Sequence, residues 1–239
     1  MKKAYVFVLL FAFPFMAQGQ VLPSSGGQNF AELGVAAGSY RGSFSISYFR
    51  NWHIGAKKRI GIGLGGRATS FLGKNLYYIT APASLTSEST SPLILFKENI
   101  VDNIDSLLVK TAQVNMVNVM LNLDYRLSER MSFGFNIDLL GFSFGGRQQG
   151  NFMNGASGKN TSATPTPFNI LLVSDNDRGS LNSELYFRYR VRERWSAKLG
   201  AQFLFTEYTT ETKVQQYPEA NDRFRNKSLL ANIGVAYSF

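Results

Sequence analysis

Cysteine is absent from all 239 residues, and histidine occurs once, as His53. Without thiols the chain has no disulfide framework and no cysteine-based metal site, which argues against redox chemistry. No cofactor or metal ligand set is read from the residues. Charge is sparse at 17%, and no apolar run reaches the roughly 20 residues that a membrane-spanning helix needs. The run from Ala4 to Met16 follows Lys2 and Lys3 and precedes the small residues Ala17 and Gly19, the layout of an export signal. Residues 1–19 are therefore expected to be a cleaved signal peptide and residues 20–239 the mature domain. With no cysteine behind the apolar run, lipid acylation is not expected either.

Aromatic residues are plentiful instead: 20 Phe and 11 Tyr in a chain that is 44% hydrophobic. That composition suits one well-packed domain. The formal charge of +9 falls to +7 once Lys2 and Lys3 are removed. For an exported chain with scattered basic residues, lipid phosphates are the expected counter-charge rather than nucleic acid.

Periodicity then sets the fold. Val117, Val119, Leu121, Leu123, Tyr125 and Leu127 alternate strictly with Asn118, Met120, Asn122, Asp124 and Arg126. After Ser128–Arg130 the alternation resumes, with Met131, Phe133, Phe135, Ile137 and Leu139 set against Ser132, Gly134, Asn136 and Asp138. A second hairpin repeats the design around Arg192–Arg194. Its turn YRVRERWS shares five of eight positions with YRLSERMS at Tyr125–Ser132. Further stripes begin at Ala31, Phe44, Ile60 and Leu229, which makes eight candidate strands. Short links alternate with long Ser-, Thr-, Asn- and Pro-rich stretches at 73–111, 145–178 and 207–227. An all-β, closed antiparallel eight-stranded transmembrane barrel with short periplasmic turns and long extracellular loops follows. A soluble sandwich also alternates, but the stripe Val117–Leu127 rises roughly 25 Å at the usual tilt, the height of a lipid-facing band. Tyr125, Tyr189, Trp195, Tyr237 and Phe239 fall together at the expected periplasmic boundary.

The last residues, NIGVAYSF, resemble the C-terminal signal of outer-membrane barrel proteins, with Asn232, Gly234, Tyr237 and Phe239 matching position by position. In layout the chain resembles small barrels of the OmpA or OmpX kind without a periplasmic domain. The resemblance implies a bacterial outer-membrane location after export, contact with outer-membrane lipids and lipopolysaccharide, and recognition of the last strand by the barrel-assembly machinery.

Inward parity collects Glu32, Arg67, Asp124, Arg126, Asp138, Glu184, Arg188, Arg190 and Lys198. Eight strands enclose a space that side chains just fill, so these charges are read as a polar plug rather than a pore lining, with Gly61, Gly63 and Gly65 making room for long arginines. Lys57, Lys58, Arg59, Arg130, Arg192 and Arg194 sit at periplasmic turns, facing lipid phosphates or water. Some similar barrels modify lipid A with a His, a Ser and a carboxylate at the outer face. Here the lone His53 falls in a periplasmic turn, so no catalytic residue is assigned. Ile100, Val101, Ile104, Leu107 and Leu108 follow helical spacing, although an upward extension of the fourth strand reads nearly as well. The expected role is structural or loop-mediated binding, with an envelope partner; the alternatives are a small channel for solutes or hydrophobic compounds and, less favoured, a lipid A-modifying enzyme.

Overall fold

The computed structural model describes residues 27–87, 99–154, 157–172 and 176–239. The expected signal peptide lies outside these residues. Among the described residues there are eleven strands: β1 (Gln28–Gly38), β2 (Arg41–Ile54), β3 (Ile60–Thr80), β4 (Ser106–Arg126), β5 (Met131–Phe144), β6 (Gln148–Asn154), β7 (Ser157–Pro165), β8 (Phe168–Ile170), β9 (Leu181–Arg190), β10 (Trp195–Thr210) and β11 (Arg223–Ser238). Eight of them close a ring. Antiparallel ladders run β1–β2–β3–β4–β5–β9–β10–β11 and back to β1, where Phe30 pairs with Ser238 and Ala37 with Ala231. The Phe239 amide also donates to the Asn29 carbonyl at 3.0 Å, so the chain end is held in the ring. Closure leaves no sheet edge, the condition for a β-structure in hydrocarbon.

The expected alternation holds around this lower ring. Leu33, Val35, Ile46, Leu64, Val117, Leu123, Leu185, Leu199, Ile233 and Val235 are exposed, whereas Glu32, Arg67, Asn118, Asn122, Asp124, Glu184, Lys198 and Asn232 are buried. This greasy outside and polar inside is the inverse of a soluble core. The echoed turns share geometry as well as wording: the Leu127 amide donates to the Met131 carbonyl and the Val191 amide to the Trp195 carbonyl, both at 2.9 Å.

The described parts of the long stretches contain strand as well as loop. β3 and β4 are 21 residues each, about 70 Å of strand that rises some 50 Å when tilted, twice the lipid-facing band. The stripes break at Gly73 and Thr111 because Asn75 takes a left-handed backbone (φ 52°), which Asn tolerates, and both strands change face there. Phe71 and Gly73 point in below it, Leu76 and Tyr78 above it, while Lys74, Asn75, Lys110 and Thr111 are all exposed. The stretch 145–178 holds the hairpin β6–β7 and strand β8, and 207–227 holds the end of β10 and the start of β11, joined by residues 211–222. The helical reading of 100–108 is also corrected. Val101–Asn103 is one 3₁₀ turn, and Leu107 and Leu108 belong to β4.

These extensions form a second storey. Above the lower ring the order becomes β3–β4–β6–β7–β10–β11, and β11 returns to β3 through Phe224–Thr80 and Arg225–Ile79. The β1–β2 hairpin stops short below this junction, at the two-residue turn Ser39–Tyr40. On the opposite side, β5 carries a bulge at Leu139: Asp138 pairs with Met120, but Leu140 pairs with Val119. The bulge puts two successive leucines outside. Beyond it β5 pairs with β8 instead of β9.

Candidate functional site

Inside the lower ring the inward charges form one hydrogen-bonded ladder. Arg67 on β3 donates from Nε to Asp138 Oδ1 at 2.9 Å and from Nη1 to Asn136 Oδ1 at 2.5 Å, and lies 3.5 Å from Glu184. Asp138 also accepts from Asn118 Nδ2 at 2.7 Å and from the Asn182 amide at 3.0 Å. Lys198 bridges Glu32 at 2.9 Å and Glu184 at 2.8 Å. Arg188 donates to Glu32 and lies over the Phe30 ring at 4.7 Å. Lower down, Tyr186 donates to Asn122 at 2.7 Å, Asn51 donates to Asp124, and His53 Nε2 stands 3.8 Å from Asp124 and 3.2 Å from Arg126. Each buried carboxylate has a cation or several donors, which offsets its desolvation.

Seven of the nine residues singled out in the sequence are buried members of this ladder. Arg126 is half-buried and joins only at the lower end, through His53, and Arg190 is exposed at the rim. His53 is not in a turn: it is the penultimate residue of β2, turned inward at the mouth, and the turn itself is 55–59. The strand-three glycines accommodate other groups than arginine. A Cβ on Gly61 would lie 2.2 Å from Asp124 Oδ1, and one on Gly65 would lie 2.1 Å from the Tyr48 carbonyl. Asn51, Asn122 and Tyr186 were missed as ladder members, although they share the inward parity that picked out the charges.

The polar plug does not continue upward. Phe71, Leu76, Tyr78, Leu107, Val114, Phe152, Leu204, Tyr208 and Phe224 fill the upper storey as one apolar cluster. Tyr78 and Tyr208 meet edge to face at 5.1 Å, and Phe152 and Phe224 at 5.9 Å. The Tyr208 hydroxyl bonds the backbone of Gln113 on β4, and burial pushes its pKa up to about 12. A lid caps the cluster. Gln215, fully buried, accepts from Thr80 at 3.0 Å and from Asn221 at 2.9 Å and donates to the Asn103 carbonyl at 2.9 Å. Glu207, fully buried between the wall and the segment before β9, accepts from Arg223 at 2.8 Å and from Arg225 at 2.9 Å. This cluster lies within a polar stretch with no apolar stripe to flag it in the sequence.

Of the C-terminal residues, Asn232 is buried in the lumen, Gly234 faces Gly34, and Tyr237 and Phe239 lie outside with ring centroids 5.0 Å apart. Trp195 joins them, 5.0 Å from Tyr237.

No protein-family model and no curated protein matches the chain. Among solved structures it is similar to small outer-membrane β-barrel proteins. Ail of Yersinia pestis is 9% identical with a TM-score of 0.38, covering 90% of this chain and 99% of that one. Neisserial surface protein A is 10% identical with a TM-score of 0.35, covering 89% and 96%. The N-terminal β-barrel domain of Pseudomonas aeruginosa OprF is 8% identical with a TM-score of 0.35, covering 89% and 97%. The fold itself stands on the closed ring of ladders.

Proposed function

We propose that the chain is an integral barrel of a bacterial outer membrane, with its short turns in the periplasm and its upper storey standing clear of the lipid outside the cell. It serves as a rigid binding platform rather than a pore or an enzyme. The observation that carries this reading is the filled interior: a charge ladder at bilayer depth, an apolar cluster above it and the Gln215 lid on top. Water or solute crossing the axis would have to break paired buried charges and then enter an apolar plug. The apolar belt supports the membrane depth, because the outward side of β4 turns from Val117 to Asn115, Gln113 and Lys110 where the upper storey begins. What remains for function is the outer surface, where Tyr217 is 66% and Val101 78% exposed at the top. Lipopolysaccharide and an envelope protein are the partners such a surface would meet, and the terminal strand is the segment that the assembly machinery would engage. His53 lies among Asp124 and Arg126 at the end away from lipopolysaccharide, which favours a non-enzymatic role.

Planar-bilayer recording of the refolded protein tests the filled lumen. We expect a flat baseline, and stepwise conductance that disappears on heat denaturation would refute the reading.

A further inference from the structure

We propose that the periplasmic mouth of the barrel is a binding vestibule for a small soluble oxyanion, a phosphate or carboxylate group. The assignment of this end to the periplasm rests on the reading above; the vestibule itself does not. A blind cavity of about 130 Å³ opens on the barrel axis at the short-turn end, and the stack of Arg188 on Phe30 closes its inner limit. Four arginines line it, Arg126, Arg130, Arg188 and Arg190, together with His53. The acids facing them are fewer and partly engaged. Asp124 accepts from Asn51, Glu129 sits in the exposed turn, and Glu32 lies deeper, shared by Arg188 and Lys198.

One atom gives the cavity a specific demand. Arg188 is 5% exposed, and its Nε–H has no hydrogen-bond partner although Nη2 is held by Glu32. A buried guanidinium donor without an acceptor is costly; Nε is itself closed to solvent, and a small turn of the Arg188 guanidinium toward the cavity lets an oxyanion held at the mouth supply the acceptor. The planar fork of arginine suits carboxylate and phosphate oxygens in paired contacts. Hydroxyl side chains from Ser132, Ser196 and Ser238 complete the lining.

The positive rim is built into the turns rather than scattered. Arg59, Arg130 and Arg194 each end a turn, and the carbonyl of each accepts a 2.8 Å bond from the neighbouring strand, from Arg126, Arg190 and Ser238 respectively. A cationic ring around a concave mouth concentrates anions there. The cavity opens along the barrel axis, away from the lipid that surrounds the belt, so the ligand arrives from solution rather than from a headgroup.

The test uses the refolded full chain in a neutral detergent without phosphate, titrated separately with inorganic phosphate and succinate while the Arg188 Nε–H resonance is followed. A saturable shift with one anion per chain is expected. Affinity should fall roughly tenfold or more in the Arg126→Gln/Arg190→Gln double variant, which removes two charged donors at the mouth and leaves the buried pairs of Glu32, Asp138 and Glu184 in place. Repeating the titration in nanodiscs with and without phosphatidylglycerol separates the sources: unchanged affinity supports a soluble ligand, whereas loss of binding in the anionic discs assigns the site to lipid and overturns the proposal. No saturable shift, or an equal one in the double variant, also overturns it. Heat-dependent gel mobility, recorded on the same samples, shows independently whether the barrel is folded.

Discussion

Arg67 shows how much one lumen side chain organises. It reaches Asp138 beside the bulge of β5, Asn136 one step below on the same strand, and Glu184 on β9, so it ties two strands from a third. Removing one member of such a buried pair strands the other charge, which costs about 3–5 kcal/mol, whereas exchanging both for apolar groups of similar volume is often neutral. Asp138→Asn should therefore lower stability in urea unfolding from lipid vesicles by about that amount. The double variant Arg67→Met/Asp138→Leu should recover more than half of the loss, and simple additivity of the two single changes would count against a coupled ladder. At this scale the sequence was informative because strand period is two: one parity assignment per strand placed Glu32, Arg67, Glu184 and Lys198 inside. It was not informative about partners. Which carboxylate meets which cation depends on shear and register around the ring, and a single chain read in isolation carries neither.

At the scale of elements, legibility stopped where lipid stops. Within the bilayer the outer face must be apolar, so β4 below Val117 announces itself. Above it the same strand carries Gln113, Thr111 and Lys110 outside, and the face switch near Asn75 breaks the period on β3 as well. Strand extensions therefore read as loops. The inserted β6–β7 hairpin, rich in Gln, Asn, Ser and Thr, hid for the same reason. These extensions end at the lid, where Asp105 has a pH-dependent part. The Asp105 carbonyl accepts the Thr80 amide at 3.1 Å, and its carboxyl is poorly solvated, with Asn154 its donor at 3.3 Å among the described residues. Desolvation holds its pKa above the ordinary carboxylate value of 3.8, with the Asn154 bond opposing the shift. The folded lid then binds a proton more readily than the open one. Its stability is greatest below the unfolded pKa and declines as pH rises through the folded one. Hydrogen exchange of the Thr80 and Asp105 amides, corrected for intrinsic rate, should show stronger protection at pH 4 than at pH 7. Asp105→Asn should remove most of the difference, and an unchanged pH dependence in that variant would sink the assignment to Asp105.

For the whole molecule, the two storeys obey opposite solvent rules along one set of strands. Below, apolar side chains face out and charges face in; above, an ordinary apolar core faces in and the outer face is mixed, with Lys74, Lys110 and Thr111 exposed beside Tyr77 and Ile79. A soluble domain has no reason to change rule midway, whereas a chain leaving a bilayer does. The lack of cysteine makes this directly measurable, since single cysteines can be placed without background labelling. Three sites sample the three environments: Tyr217 on the top surface, 66% exposed; Leu199 in the belt on β10, 62% exposed; and Glu193 in the turn between β9 and β10, also exposed. By solvent exposure alone all three are open. If the belt lies in lipid and the storey outside the cell, a membrane-impermeant maleimide should label Tyr217→Cys in intact cells and Glu193→Cys only after the envelope is permeabilised. Leu199→Cys should stay unlabelled in both and react only after denaturation, because a thiol in hydrocarbon does not ionise and the thiolate is the reactive form. Labelling of Leu199→Cys in the native envelope would mean that the apolar belt meets water or protein rather than lipid. Labelling of Glu193→Cys in intact cells would keep the barrel but turn it over.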